Sequence, residues 1–295
     1  MPVLLTLLAL TFSPAPMKDP APGYRAEVEK WRADRVRRLT ADDGWLTVIA
    51  LSWLEEGDNR VGSAESNRIV LPPGKAPTDL GTIRLSRGAA ELTVAPGVTV
   101  THDGKPVSTI ALASDATGEP TIVRHGTLSF YLIKRGDRLG VRVKDSANAA
   151  RRRFHGIETF PVREAWRLPA RFDRYQPKKS IPIPNVLGGV TQEPSPGAIV
   201  FTVGGKEYRL DAVDEEGEED LFLIFADQTN GKETYGAGRF LYAPRPGADG
   251  KTVVDFNKAY NPPCAFTPFA TCPLPPPQNR LPIAIEAGEK RSGDH

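Results

Sequence analysis

From Tyr24 to Leu39 apolar positions recur at helical spacing, with Val28, Trp31, Val36 and Leu39 set between Glu27, Arg32, Asp34 and Arg38. That stripe predicts a helix over 24–40 that lays one face against a sheet. Downstream the period changes. Trp45 to Trp53 is a continuous apolar run, and Asn67 to Leu71 reads as a strand ended by Pro72 and Pro73. Short alternating stretches follow at Thr82–Leu85, Glu91–Val94 and Val98–Thr101, and Asp103-Gly104 is a hairpin dipeptide. Strands this short, spaced about ten residues apart, predict a sandwich or barrel over 45–118.

Further along, Leu128–Lys134 and Leu139–Lys144 flank the turn Arg135-Gly136-Asp137. In the second strand Leu139, Val141 and Val143 alternate with Arg138, Arg142 and Lys144, which gives one buried and one wet face. Prolines thicken between Tyr175 and Pro196, which reads as a linker or a long wrapping segment. Ile199–Val203, Gly204-Gly205 and Glu207–Ala212 then form a hairpin, and Leu221–Phe225, Phe240–Tyr242 and Val253–Phe256 extend the sheet. The expected fold is mainly β. It has two β modules of sandwich or barrel type, 45–118 and 120–290, with an N-terminal helix and a proline-rich C-terminal wrapping loop.

Composition refines this picture. The chain of 295 residues carries 28 prolines and 27 glycines, which favours short elements over long helices. Its 38 basic and 36 acidic side chains leave a net charge of +2 with interspersed signs, so no nucleic-acid-binding face is predicted. Met1 to Phe12 is almost wholly apolar and leads into Ser13-Pro14-Ala15, which predicts a signal peptide over 1–16 and an exported, periplasmic or secreted protein. No Lys or Arg precedes that run and Pro16 follows the cleavage point, so a cytoplasmic location is the alternative. No other run approaches the roughly 18 apolar residues of a span, so an integral membrane protein is not expected. Cys264 and Cys272 are the two cysteines, and export makes a disulfide between them the leading reading, ahead of two inert thiols or half a metal site.

The chain contains no Gly-x-Ser-x-Gly elbow, P-loop, Gly-x-Gly-x-x-Gly or His-Glu-x-x-His, and only four histidines. No metal site or cofactor is therefore predicted, and no motif names a catalytic residue. The unusual stretch is Gly231 to Glu289. As a strand, its first part would put Glu233, Tyr235 and Arg239 on one face, and Asp255 and Asn257 would share a face of the next strand. Pairing those strands predicts a polar cluster of Glu233, Arg239, Asp255 and Asn257, walled by Tyr235 and Tyr260 and with Asn261 nearby. The competing reading makes Arg239–Asp255 a cross-strand ion pair and has Asn257 and Asn261 bond the irregular loop backbone.

Two resemblances accompany these residues. The strings Asn261-Pro262-Pro263-Cys264 and Cys272-Pro273-Leu274-Pro275-Pro276-Pro277-Gln278-Asn279-Arg280-Leu281-Pro282 resemble the family called domain of unknown function 1684, over about residues 24–290. That family brings no activity with it. Gly57-Asp58-Asn59-Arg60-Val61-Gly62-Ser63, Ser66-Asn67-Arg68-Ile69-Val70-Leu71 and Asp103-Gly104 resemble the forkhead-associated sandwich. The resemblance implies a fold alone, because no histidine lies between Arg60 and His102 to build that domain's Ser-x-x-His. Two function classes follow. One is an exported protein that binds a polar small molecule, a glycan or a cell-envelope partner. The other is a hydrolase using carboxylates such as Glu233, Asp255 or Glu286 with Tyr and Arg groups.

Overall fold

The computed structural model describes residues 21–291; the expected signal segment, 1–16, lies outside the described residues. The predicted helix runs from Pro22 to Thr40 (α1). Proline is tolerated in its first turn because that N–H has no helical partner anyway. Val28, Arg35 and Leu39 are buried, while Val36 is only partly covered, so an arginine rather than Val36 completes the buried stripe.

Eleven strands follow: β1 (Val48–Trp53), β2 (Gly57–Gly62), β3 (Ile69–Val70), β4 (Gly81–Ser86), β5 (Ala89–Val94), β6 (Val100–His102), β7 (Lys105–Val107), β8 (Thr109–Ala111), β9 (Val123–His125), β10 (Leu128–Arg135) and β11 (Arg138–Asp145). They form a six-stranded sheet ordered β1-β11-β10-β9-β6-β7 and a five-stranded sheet ordered β3-β2-β4-β5-β8. Val61, Ile83 and Leu92 from one sheet meet Val123, Phe130 and Val141 from the other in a shared apolar core. The β10–β11 hairpin thus belongs to the same core as the strands that begin the chain.

A short helix, α2 (Ala149–Arg153), leads to β12 (Arg167–Pro184), β13 (Val190–Val203), β14 (Lys206–Asp211), β15 (Leu221–Phe225), β16 (Arg239–Ala243) and β17 (Lys251–Asp255). Four of these make a sheet ordered β14-β13-β12-β17, and β15 and β16 pair separately. The proline-dense stretch 175–196 is not a linker: it forms most of a long β12–β13 hairpin. Residues 179–184 and 190–195 ladder only with each other, and their outer edges serve as acceptors, with the Pro184 carbonyl taking the Leu274 N–H at 2.7 Å and the Pro194 carbonyl the Asp214 N–H at 2.9 Å, so the missing proline N–H groups break no ladder.

All five residues of β15 are buried. Leu221, Leu223 and Phe225 face a core built with Ile199, Phe201, Val254 and Phe256. Phe222 and Ile224 face the other way, toward Ile181, Ile183, Phe240 and Cys272. The strand reads as a continuous apolar run because both of its faces are covered.

The proline-rich segment wraps the C-terminal sheets as expected, and its polar residues supply the bonds that prolines cannot. Asn279 is buried; its Oδ1 accepts the Asp211 N–H at 2.8 Å, and its Nδ2 donates to the Asp211 and Ile224 carbonyls at 2.9 Å each. Gly238 has φ +100° and lies so close to the wrap that a Cβ there would sit 2.4 Å from the Pro275 ring. At Gly236, two residues earlier, a Cβ would meet nothing nearer than 3.7 Å.

Phe256 is fully buried and makes edge contacts with Trp166, Phe201 and Phe225. Phe256→Ala is expected to destabilise by about 3–5 kcal/mol in urea unfolding. Val190→Ser, at a side chain 60% exposed, is expected to stay within about 0.5 kcal/mol.

Candidate functional site

Arg239 opens β16 and is fully buried. Its Nη2 donates to Asp227 Oδ2 at 2.7 Å and to the Ile285 carbonyl at 2.9 Å, and its Nη1 donates to the Ala287 carbonyl. Burial pulls the Arg239 pKa down, and the Asp227 carboxylate opposes that pull. The expected pairing of Arg239 with Asp255 is therefore not formed. Lys232 to Gly238 is a turn and not a strand, because the N–H groups of Lys232, Glu233 and Thr234 converge on the Thr229 carbonyl at 3.0–3.1 Å. β16 then ladders with β15, not with β17.

Asp255 ends β17 and belongs to a different network. Its Oδ1 accepts the Tyr24 hydroxyl at 2.7 Å and the Asn257 backbone N–H at 3.1 Å. Asn257 Oδ1 accepts the Arg163 N–H at 2.9 Å, and its Nδ2 donates to the Arg163 carbonyl at 2.8 Å and to the Tyr24 oxygen at 2.9 Å. Burial and the neighbouring carboxylate together raise the Tyr24 pKa. The asparagine is anchoring irregular backbone, as the competing reading had it.

A third network ties α1 to the C-terminal wrap. Arg35 Nε donates to Glu289 Oε1 at 3.1 Å and Nη2 donates to the Asn261 carbonyl at 2.7 Å. Asn261 donates its N–H to Glu289 Oε2 at 2.7 Å and its Nδ2 to the Lys290 carbonyl at 2.7 Å. Desolvation pushes the Glu289 pKa up, with Arg35 acting in the opposite sense. Glu233 is exposed and outside all three networks, while Tyr235 packs with Leu39, Leu46 and Phe266. The structure thus joins Asp255 to Asn257 and Asn261 to the Arg35 cluster, but does not gather the seven residues into one site.

A groove of about 240 Å³ lies beside Asp255. Helix α1 contributes Glu27 and Trp31, β16 contributes Tyr242, and Arg167, Asp220 and Lys258 complete its charged rim. Tyr260 stands behind both aromatic walls. Its ring is nearly parallel to Tyr242, 11° apart at 6.3 Å, and 6.2 Å from Trp31, with Arg35 4.7 Å from its centroid. Lys258 bonds Glu27 at 2.5 Å across the rim. On its other side Tyr242 borders an acidic cleft, where its hydroxyl donates to Glu215 at 2.7 Å. Burial raises the Glu215 pKa. Asp214 in the same cleft is already paired with Lys178 at 2.7 Å and Arg245 at 2.6 Å.

Sequence reasoning missed Tyr24, Glu27, Trp31, Arg167, Tyr242 and Lys258 as neighbours. Tyr24, Glu27 and Trp31 share a helix face at i, i+3 and i+7, and that spacing was the available signal. Cys264 and Cys272 are free thiols here, with the Cys264 N–H donating to Cys272 Sγ at 3.2 Å. Among the described residues no group of three His, Cys, Asp or Glu side chains is placed to hold a metal ion. Among the same residues no helix is long and apolar enough to cross a membrane.

The model of the family described as "Protein of unknown function (DUF1684)" matches residues 152–290, a span that contains both cysteine–proline strings. A comparison with curated proteins finds no match. Among solved structures, an uncharacterised protein of Haloarcula marismortui determined by NMR is 28% identical, covering 49% of this chain and 81% of its own, at a TM-score of 0.42. The FhaA FHA domain, solved in complex with the intracellular domain of Rv3910, is 19% identical over 32% of this chain and 97% of its own, at a TM-score of 0.23. An FHA domain from an analysis of phosphothreonine-dependent interactions is likewise 19% identical, at the same TM-score of 0.23.

Asp227→Ala leaves the Arg239 guanidinium buried without a counter-charge and is expected to cost about 3–5 kcal/mol in urea unfolding. Glu233→Ala, at an exposed side chain, is expected to move stability by no more than about 0.5 kcal/mol.

Proposed function

We propose that this is an exported protein that binds a polar small molecule or a glycan in the groove between α1 and the edge formed by β16 and β17. One observation carries the reading: Trp31 and Tyr242 line a groove whose rim holds both signs of charge, from Glu27, Asp220, Asp255, Arg167 and Lys258. Aromatic faces suit the apolar faces of sugars and rings, and rim charges supply hydrogen bonds to hydroxyl, amine or carboxylate groups. The Tyr260 stack and the Tyr24–Asp255–Asn257 network hold these walls in place before a ligand arrives, which reduces the ordering cost of binding.

Native mass spectrometry of the protein from its own host tests this, with the denatured mass also reporting the mature N-terminus. A retained polar molecule is expected, and Trp31→Ala or Lys258→Ala should weaken its binding about tenfold, the scale of one hot-spot contact. A bare protein together with unchanged affinities in both variants would sink the reading.

A hydrolase reading draws on Glu215. Burial raises its pKa, the Tyr242 hydroxyl that bonds it acts in the opposite sense, and Tyr242 links it to the groove, an arrangement that favours a proton-donating carboxyl over an exposed one. Under that reading a panel of nitrophenyl glycosides contains a substrate, and Glu215→Gln lowers its turnover about a hundredfold or more without weakening binding. No turnover of any panel member by the wild type leaves the binding reading standing alone.

A further inference from the structure

Arg142 is an unusual residue for its position. It lies mid-strand in β11 and only 3% of it is exposed, yet among the described residues no carboxylate lies within ion-pair distance. Its guanidinium sits 5.0 Å from the centre of the Trp45 ring and reaches Thr271 Oγ1 at 3.5 Å, while its buried Nε has no acceptor. A buried guanidinium left this way calls for an anion nearby. Thr271 Oγ1 also accepts Arg135 Nε at 2.8 Å, and Arg135 is already paired with Asp115 at 2.8 Å. Thr271 is followed in the chain by Cys272, and Arg142 favours the charged form of both the Cys264 and the Cys272 thiol.

The two thiols are not equivalent. Cys264 is partly exposed on the turn Pro263–Ala265, whereas Cys272 is buried against Phe222, Ile224 and Phe240. The hydrogen bond between the two thiols lowers the Cys264 pKa and raises that of Cys272, which burial raises further, so the first proton leaves the less buried residue, Cys264. Burial, and then the charge of either sulfur, disfavours the Tyr235 phenolate beside them. A partly exposed cysteine whose thiolate is favoured, held against a second, buried thiol, is the arrangement that thiol–disulfide exchange requires.

We infer that Cys264 and Cys272 form a redox-active dithiol that exchanges with small disulfides, with Cys264 as the attacking sulfur, Cys272 as the resolving one and Arg142 as the fixed cation beside them. The Cys264 thiolate attacks one sulfur of a disulfide R–S–S–R, an S–S bond forms to Cys264, and R–S⁻ leaves and takes up a proton. Cys272 then loses its proton and attacks the Cys264 sulfur, closing the protein disulfide and releasing the second R–S⁻. The protein is oxidised by two electrons and the small disulfide is reduced to two thiols. The Cys264–Cys272 bridge is in this view one state of a cycle. It is independent of the groove reading, because none of these residues lines the groove.

The full chain, reduced and then exposed to oxidised glutathione, tests the inference by intact and peptide mass after acid quenching. Wild-type protein is expected to lose both thiols together and to release two glutathiones per chain. Cys272→Ser should accumulate glutathione on Cys264, and Cys264→Ser should remain largely unmodified. Iodoacetamide alkylation of Cys264 across pH reads the role of Arg142. Arg142→Met fills the same space without charge and should move the midpoint upward, slowing alkylation about tenfold per unit below it, while Arg142→Lys restores the wild-type profile. Circular dichroism confirms that each variant is folded, and an unfolded Arg142→Met is replaced by Arg142→Gln. Equal reactivity of the two single-cysteine variants, a mixed disulfide that persists on wild-type Cys264, or no reaction at all would overturn the dithiol. An unmoved alkylation profile in the neutral variant would overturn the part assigned to Arg142.

Discussion

The C-terminal half of this fold is organised around the charge of Arg239, which is wholly removed from water. A guanidinium in that position is tolerable only if its donors are met, and they are met by elements distant in sequence. Asp227 closes the turn after β15, and the carbonyls of Ile285 and Ala287 belong to the wrap. Asp227 is itself fixed by the Thr229 N–H at 2.8 Å and by the Ile285 N–H at 3.3 Å. The ion pair therefore specifies where the last stretch of chain must lie. Gly288, with φ +78°, allows that stretch to pass where a Cβ would be 2.3 Å from the Ala259 carbonyl oxygen.

From that anchor the wrap reaches α1. Glu289 follows directly, and its carboxylate receives Arg35 of the helix and the backbone of Asn261. The helix is thereby pinned over the edge of the β15–β16 pair, which sets Trp31 against Tyr260 and opens the groove between them and β17. Buried polar residues in this region divide by task. Arg239, Asn257, Asn261 and Asn279 each bond backbone of the wrap or its neighbours, while Asp255, Lys258, Glu27 and Tyr242, none of them buried, line the groove.

The proline-rich loop does a second job where the two sets of sheets meet. It carries Cys264, Cys272 and Thr271 up to Arg142 and Arg135 of the sandwich, with Arg135 Nε donating to Thr271 Oγ1 at 2.8 Å. Prolines have no N–H to place and a narrow choice of backbone angles, so such a loop holds its side chains without a helix or sheet of its own. The loop that supports the C-terminal core thus also carries both cysteines.

Local physics made several features legible in the sequence. The 3.6-residue period of 24–40, the two-residue period of Leu139 to Lys144 and the Gly204-Gly205 turn each depend on neighbours in the chain, and each element formed where expected, although the face of β11 expected to be wet is covered at Arg142. The presence of polar residues in the proline loop was legible for the same reason, since its backbone cannot bond to itself. What the sequence could not determine was which remote partner each polar side chain meets. Arg239 chose Asp227 over Asp255 because the turn 229–234 closes on one carbonyl and moves β16 beside β15. Tyr24 meets Asp255 across 231 residues, and Arg35 meets Glu289 across 254. Periodicity shows which face of an element is covered and carries no record of what covers it. The groove is made between covering surfaces, so it existed only once the helix, the paired strands and the wrap had been brought together.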